Sequence, residues 1–253
     1  MSAHITVLAS QKGGTAKTTT AAALFAGLTC KGYKVLAVDT DAQRNLSFTM
    51  NADEALPSVY EMLKGTATPL EAIQHTTQGD LIAASGDLAG ADMEFSRHEY
   101  ILRDTLAQIK EHYDFIIIDT PPALGAITIA ALTAANDVVI PLGADVFSLQ
   151  GLSQINETIT MIKELTENKS LRVAGLLITR YSGRGLLRQE LRDSIGEAAA
   201  RINTKAFNTV IREGIAIIEA QAQQESIYTA APKSNAAADY AAFVDEYLRG
   251  LKI

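Results

Sequence analysis

The stretch Ile5-Thr6-Val7-Leu8-Ala9-Ser10-Gln11-Lys12-Gly13-Gly14-Thr15-Ala16-Lys17-Thr18-Thr19 decides how the rest of the chain is read. A short β-rich apolar run, Ile5 to Ala9, leads into a turn with two glycines and two lysines. A strong helical pattern from Thr18 to Lys31 follows. Glycines let the backbone turn so tightly that several N–H groups face one point, and the helix N-terminus adds its partial positive charge there. Such a turn holds phosphates. Lys17 is placed to reach the outer phosphates and the Thr18 hydroxyl to ligate Mg²⁺. The strict pattern G-x-x-x-x-G-K-[ST] fails twice, because Gln11 and Ala16 stand where its glycines belong. The variant matched is K-G-G-x-x-K-T.

Outward from this stretch, short apolar runs recur at Val35 to Val38, Phe115 to Ile118, Val138 to Leu142 and Val173 to Ile178. Runs this apolar suit strands covered on both faces. Between them lie helix-length patterns at Glu99 to Glu111, Ser148 to Thr166 and Leu186 to Ile202. The alternation predicts an α/β fold, a doubly wound and mostly parallel sheet with helices on both faces. With 253 residues and no linker-like tract, a single domain over 1–253 is expected. The segment from Asn51 to Arg97 is the least regular, punctuated by Pro57, Pro69 and several glycines, and reads as an elaboration of that domain. Ala236 to Leu251 places Tyr240, Val244, Tyr247 and Leu251 at helical spacing, which predicts a terminal helix packed on the core.

Two more segments carry chemistry. Val35 to Gln43 is a strand ending in Asp39-Thr40-Asp41-Ala42-Gln43, and Asp114 to Pro122 is one ending in Asp119-Thr120-Pro121-Pro122. Ligands of open α/β sheets bind beyond the carboxyl ends of the strands, where all three motifs converge. Together they resemble the ParA/MinD group of P-loop ATPases: a deviant Walker A loop, a D-x-D-P-Q switch with Ala42 in place of proline, and a Walker B strand. The resemblance runs essentially the whole chain. It implies a Mg²⁺-dependent ATP hydrolase whose nucleotide lies on Lys12, Gly13, Gly14, Thr15, Ala16, Lys17, Thr18 and Thr19. Phosphoryl transfer to water needs charge neutralisation and an oriented nucleophile. The family's pattern assigns the first to Lys17, Thr18 and a Mg²⁺ shell with Asp39 and Asp119, and water positioning to Asp41. Lys12 is then the signature lysine that crosses to the partner's phosphates when two monomers sandwich two ATP molecules. Arg180 ends a strand where the family often contacts adenine, and it is equally readable as a surface residue. Ala16 replaces the family's usual glycine. Either its methyl slows dimer closure or hydrolysis, or it sits at helical φ/ψ where alanine costs nothing.

Composition narrows the class. Hydrophobic residues make up 47% and charged residues 20%, which excludes a disordered chain. The N-terminus lacks a signal-peptide pattern and no apolar run reaches the length of a membrane span, so a cytoplasmic protein is expected. Cys30 is the only cysteine, too few for a disulfide or a Cys-pair metal site within one chain, and it reads as a small core residue of the first helix. Within the group, this argues against the iron-sulfur branches. Net charge is −7, yet residues 180–212 hold seven basic and three acidic residues, +4 locally, leaving 15 basic and 26 acidic residues and −11 elsewhere. Arg184, Arg188 and Arg192 recur at spacing four, a repulsive arrangement that phosphates of non-specific DNA would relieve. A solvated face balanced by Glu190, Asp193 or Glu197 is the other reading.

The resemblance then implies a partition ATPase whose ATP dimer binds non-specific DNA through Arg184, Arg188, Arg192, Lys205 and Arg212. It would associate with the nucleoid and be released by a ParB-like centromere-binding protein. Ala216 stands where chromosomal members often carry a DNA-binding arginine. The alternative is a MinD-like or scaffold-type ATPase acting on membrane or protein cargo. The acidic residues of the last helix, Asp239, Asp245 and Glu246, weigh against anionic lipid.

Overall fold

The computed structural model describes residues 2–143, 150–182 and 186–251, without the side chains of residues 150, 186–189 and 191. The first half holds β1 (His4–Leu8), α1 (Lys17–Cys30), β2 (Val35–Asp39), α2 (Asn45–Thr49), α3 (Val59–Lys64), α4 (Pro69–Ala72), β3 (Ile73–Thr76), β4 (Gly79–Ile82), α5 (Ala91–Glu94) and α6 (Ile101–Leu106). The second holds β5 (Phe115–Asp119), α7 (Ala126–Ala134), β6 (Asp137–Gly143), α8 (Gln150–Leu165), β7 (Arg172–Tyr181), α9 (Leu186–Arg201), β8 (Ala206–Arg212), α10 (Ile215–Ala222), α11 (Ile227–Ala230) and α12 (Asn235–Gly250).

Among the described residues the strands form one sheet in the order β3-β4-β2-β5-β1-β6-β7-β8. All neighbours pair parallel except β3 with β4. The period of two along each strand sends residues to two separate cores. Ile5, Val7, Leu36, Val38, Ile116 and Ile118 face one layer, and Leu8, Val35, Ala37, Phe115 and Ile117 face the other. Both faces are apolar, which is why these strands read as unbroken hydrophobic runs.

α12 lies on the second layer with Tyr240, Phe243, Val244 and Tyr247 buried. It approaches α1 so closely that a Cβ on Gly27 would meet Val244 Cγ2 at 2.7 Å. Its acidic residues are engaged within the chain. Asp239 forks Arg212, Asp245 pairs with Lys31, and Glu246 accepts the N–H groups of Asn208 at 2.7 Å and Thr209 at 2.9 Å. The apolar face of α12 is thus packed on the core, as its spacing predicts. No helix among the described residues is long and apolar enough to cross a membrane.

Four details differ from the sequence reading. The helix expected over Glu99 to Glu111 shortens to α6 plus a 3-10 turn at Lys110–His112. There Ile109 N–H bonds Leu106 O and His112 N–H bonds Ile109 O, tightening the chain before β5. The irregular segment 51–97 contains the hairpin β3-β4, which extends the sheet beside β2. β8 forms the opposite edge. Cys30 is exposed and not a core residue, standing at the last position of α1.

Candidate functional site

The register places the chemistry. Leu8 of β1 and Asp39 of β2 both pair with Asp119 of β5, so the two carboxylates sit side by side at the same height. Threonines sew these strand ends together. Thr40 donates to Asp119 O through N–H at 3.0 Å and Oγ1 at 2.7 Å, and Thr120 Oγ1 donates to Leu8 O at 2.8 Å. The glycine loop leaves β1 above them, with Gly14 at φ +75° and Ala16 at φ +61°. Ala16 is thus left-handed, and the alternative of a helical alanine is corrected. Thr179 Oγ1 lies between the carbonyls of Thr15 (3.0 Å) and Leu142 (3.1 Å), tying the loop to β6 and β7.

Lys17 and Thr18, at the start of α1, point at the carboxylates. Lys17 is buried. Burial pushes its ammonium below the ordinary lysine value, while Asp119 and Asp41 pull it back up. Thr18 Oγ1 donates to Asp119 Oδ2 at 2.6 Å. Asp119 is fully buried and its Oδ1 meets no donor among the described residues. Burial, and then the neighbouring Asp39, push it up to about 8 despite Thr18 and Lys17. Asp39 is raised to about 6, by burial against its hydrogen bonds from Ser47. Two adjacent buried carboxylates resist double ionisation, and a bound cation would remove that resistance.

The donor set fits Mg²⁺, which binds through one or two carboxylates and substrate phosphates and not through an all-protein cage. No group of three His, Cys, Asp or Glu side chains forms such a cage among the described residues. The Thr18 hydroxyl and the orphaned oxygen of Asp119 are the groups placed to hold it. Asp39 is differently employed. Its Oδ1 accepts Asp41 N–H at 3.1 Å, and its Oδ2 accepts both N–H (2.8 Å) and Oγ (2.7 Å) of Ser47, so it organises the segment that follows β2. Asp41 is buried within that segment, its Oδ1 accepting Gln43 N–H at 3.0 Å.

Two clefts flank the loop. One of about 300 Å³ is lined by Gly14, Ala16, Thr19, Ile217 and Tyr240, another of about 220 Å³ by Lys12, Gly13, Thr15 and Glu213, and Arg180 borders both. Arg180 Nη1 donates to Gly14 O at 3.3 Å and Nη2 to Glu213 at 3.4 Å. Thr19 Oγ1 accepts Gln221 Nε2 at 3.0 Å, joining α10 to the loop.

Arg184 lies outside the described residues, and Arg188 lies on α9, one turn before Arg192. Arg192 is exposed and donates to Asn208 O at 2.9 Å. Lys205 stands 5.3 Å from the Phe207 ring centre. Arg212 is tied to Asp239 by bonds of 2.8 and 2.6 Å, which compensate its charge locally. Sequence reasoning missed Ser47 and Gln221, and gave no role to Thr40, Thr120 and Thr179 within the segments it singled out. Only the fold brings Ser47 and Gln221 to the site.

Comparison with known proteins agrees with this geometry. A family model described as an AAA domain matches residues 3–173. The chromosome-partitioning ATPase Soj of Thermus thermophilus is 36% identical over 242 residues, 95% of this chain and 94% of that protein. The chromosome partitioning protein ParA of Myxococcus xanthus is 31% identical over 254 residues, covering 97% and 88%. Among solved structures, one from Mycobacterium smegmatis described as cobyrinic acid a,c-diamide synthase with a bound ATP analogue and magnesium superposes with TM-score 0.82. It is 34% identical, over 99% of this chain and 96% of that one. The phosphate loop, the two strands that end in Asp39 and Asp119 and the match along nearly the whole chain agree: this chain belongs to the ParA/Soj family of partitioning ATPases and is a P-loop enzyme that hydrolyses ATP.

Proposed function

We propose that this ATPase binds MgATP at the loop 10–19, closes into a dimer through Lys12, and in that state holds non-specific duplex DNA. A ParB-like protein then stimulates hydrolysis and releases it, so that the cycle partitions a plasmid or chromosome. The observation that carries the reading is the convergence of Lys17, the Thr18 hydroxyl and the orphaned Asp119 oxygen beneath the glycine loop. The ATP analogue and magnesium in the Mycobacterium smegmatis relative support the same ligands here.

When bound, Mg²⁺ supplies charge neutralisation at the phosphates. Thr18 and Asp119 hold it, and Lys17 spreads the growing negative charge on the outer phosphates. Asp41, fixed by Gln43 and Asp39, orients the attacking water. Lys12, at the rim of the smaller cleft, serves the partner's phosphates. Lys12→Ala is therefore expected to bind ATP as a monomer, and Asp41→Ala to form an ATP-dependent dimer that hardly turns over, both read by light scattering.

DNA binding is tested by its salt dependence, since each phosphate contact adds about 0.9 to the slope of log K against log salt. In an ATP-bound dimer, Arg192→Gln should flatten that slope by up to ~2 if both copies touch phosphate. Arg212→Gln should change it less, because Asp239 already occupies that guanidinium. Wild-type protein that ignores duplex DNA with ATP at low salt would overturn the partition reading.

A further inference from the structure

The turn that carries Asp41 is fastened at a point the catalytic motifs do not include. Arg44 closes it. Its N–H donates to Asp41 O at 2.8 Å, its carbonyl accepts Phe48 N–H at 2.8 Å, and it is the residue before α2. Arg44 stands at φ +59°, ψ +27°, a left-handed backbone that residues with a side chain rarely adopt. Something outside the turn must hold it there.

The Arg44 side chain reaches such a partner in Glu54. Arg44 Nη2 meets Glu54 Oε1 at 2.8 Å. Glu54 itself belongs to an anchored loop. The preceding residue, Asp53, donates its N–H to Gln74 Oε1 at 2.9 Å and accepts Gln74 Nε2 on its carbonyl at 3.0 Å, and Gln74 is a buried residue of β3. The pair therefore ties the Asp41 turn to the edge hairpin. On its far side the same segment is held by Gln78 Nε2 on Thr49 O at 2.6 Å and by Ala84 N–H on Ser47 Oγ at 2.9 Å. None of these fastenings touches the phosphate loop.

We propose that Arg44 is a positioning residue for hydrolysis: its ion pair with Glu54 latches the left-handed turn that aims Asp41 at the attacking water. The inference rests on the reading of Asp41 as the water-positioning group. It separates two properties. Nucleotide affinity comes from Lys17, Thr18 and the loop backbone and does not depend on the latch. Turnover depends on the aim of Asp41 and does.

The test is steady-state ATP hydrolysis with MgATP together with equilibrium ATP binding, for wild type, Glu54→Gln, Arg44→Glu, the charge-swapped Arg44→Glu/Glu54→Arg, and Asp41→Ala. Glu54 is an exposed side chain, so its variant is expected to fold with an unchanged melting temperature. Glu54→Gln should lower kcat about threefold, the scale of a partly exposed ion pair, with ATP affinity within about twofold of wild type. The swapped pair, which keeps both the attraction and a side chain at position 44, should recover most of the loss. Wild-type kcat in Glu54→Gln, an equal loss of affinity and kcat, or a swapped pair no faster than the single variants overturns the latch. Asp41→Ala separates the two readings. If it hydrolyses ATP at the wild-type rate, the role of Asp41 falls. If it is slow while Glu54→Gln is not, the latch alone falls.

Discussion

Ala16 offers the sharpest test of the loop geometry, because its methyl group is the departure from the family's usual glycine and its backbone is left-handed, φ +61° and ψ +32°. An L-residue in that region costs about 1–2 kcal/mol relative to the right-handed alternative. Replacing alanine by glycine removes that cost but adds roughly 0.5–1 kcal/mol of unfolded-state entropy. The difference leaves Ala16→Gly more stable by about 0.5–1 kcal/mol, or about 1–4 °C in Tm for a chain of this size. Gly32, just past the other end of α1, is the control. It stands at φ +90° with no atom within 4 Å of the point a Cβ would occupy, so Gly32→Ala changes only the backbone contribution and should lose about 1 kcal/mol. Urea unfolding at 25 °C and calorimetric melting, both without nucleotide, measure the two variants. An Ala16→Gly protein that is less stable than wild type, beside a Gly32→Ala protein that loses the expected stability, would show that the loop does not hold this residue left-handed.

Other outcomes follow from the same geometry. Lys17→Ala should abolish ATP binding in calorimetric titration, since Lys17 is the buried cation at the carboxylates, and wild-type affinity in that variant would sink the phosphate-loop assignment. Glu246 accepts two backbone N–H groups and the Thr209 hydroxyl, and although burial opposes ionisation, these bonds hold its carboxyl below the ordinary value of 4.5. A depressed native pKa adds stability that is complete above the unfolded value and lost as pH falls through the folded one. Glu246→Gln should therefore cost about 1–3 kcal/mol near neutral pH, with the difference from wild type shrinking below about pH 4.5. A gap that stays constant from neutral to acid pH would show that Glu246 acts by packing alone.

The parts of the fold that the sequence announces are those buried on both sides. β1, β2, β5, β6 and β7 are continuous apolar runs because each faces two cores, and their ends carry the motif residues in order. The parts it conceals have one face on solvent. β3 is Ile73-Gln74-His75-Thr76, three of its four residues polar and at the sheet edge. In β8 only Phe207 and Ile211 are buried, too few to stand out from a loop. The site divides the same way. Lys17, Thr18 and Asp119 are marked by local pattern, whereas Ser47 reaches Asp39 only because the turn at Arg44 folds the chain back over eight residues. Arg212 counts as a free cation in a charge tally and is neutralised by Asp239, 27 residues away.

Backbone strain is the property that sequence hides most completely, since φ at a non-glycine residue is decided by what surrounds it. Six non-glycine residues among those described stand at φ between 51° and 61°, and three of them, Ala16, Arg44 and Arg180, lie at the carboxyl ends of the strands. Each is over-determined by contacts outside itself. The Ala16 carbonyl accepts Thr20 N–H at 2.9 Å, Arg44 is tied to Asp41 and Glu54, and Arg180 reaches Gly14 and Glu213. Left-handed non-glycine residues cost of order 1–3 kcal/mol each and persist only where packing and hydrogen bonds fix them, which concentrates them at functional sites. Here they bracket the phosphate loop, the Asp41 turn and the arginine between the two clefts. The folding free energy of the sheet thus sets these loops before any ligand arrives, and binding energy is left for the phosphates and for closing the site.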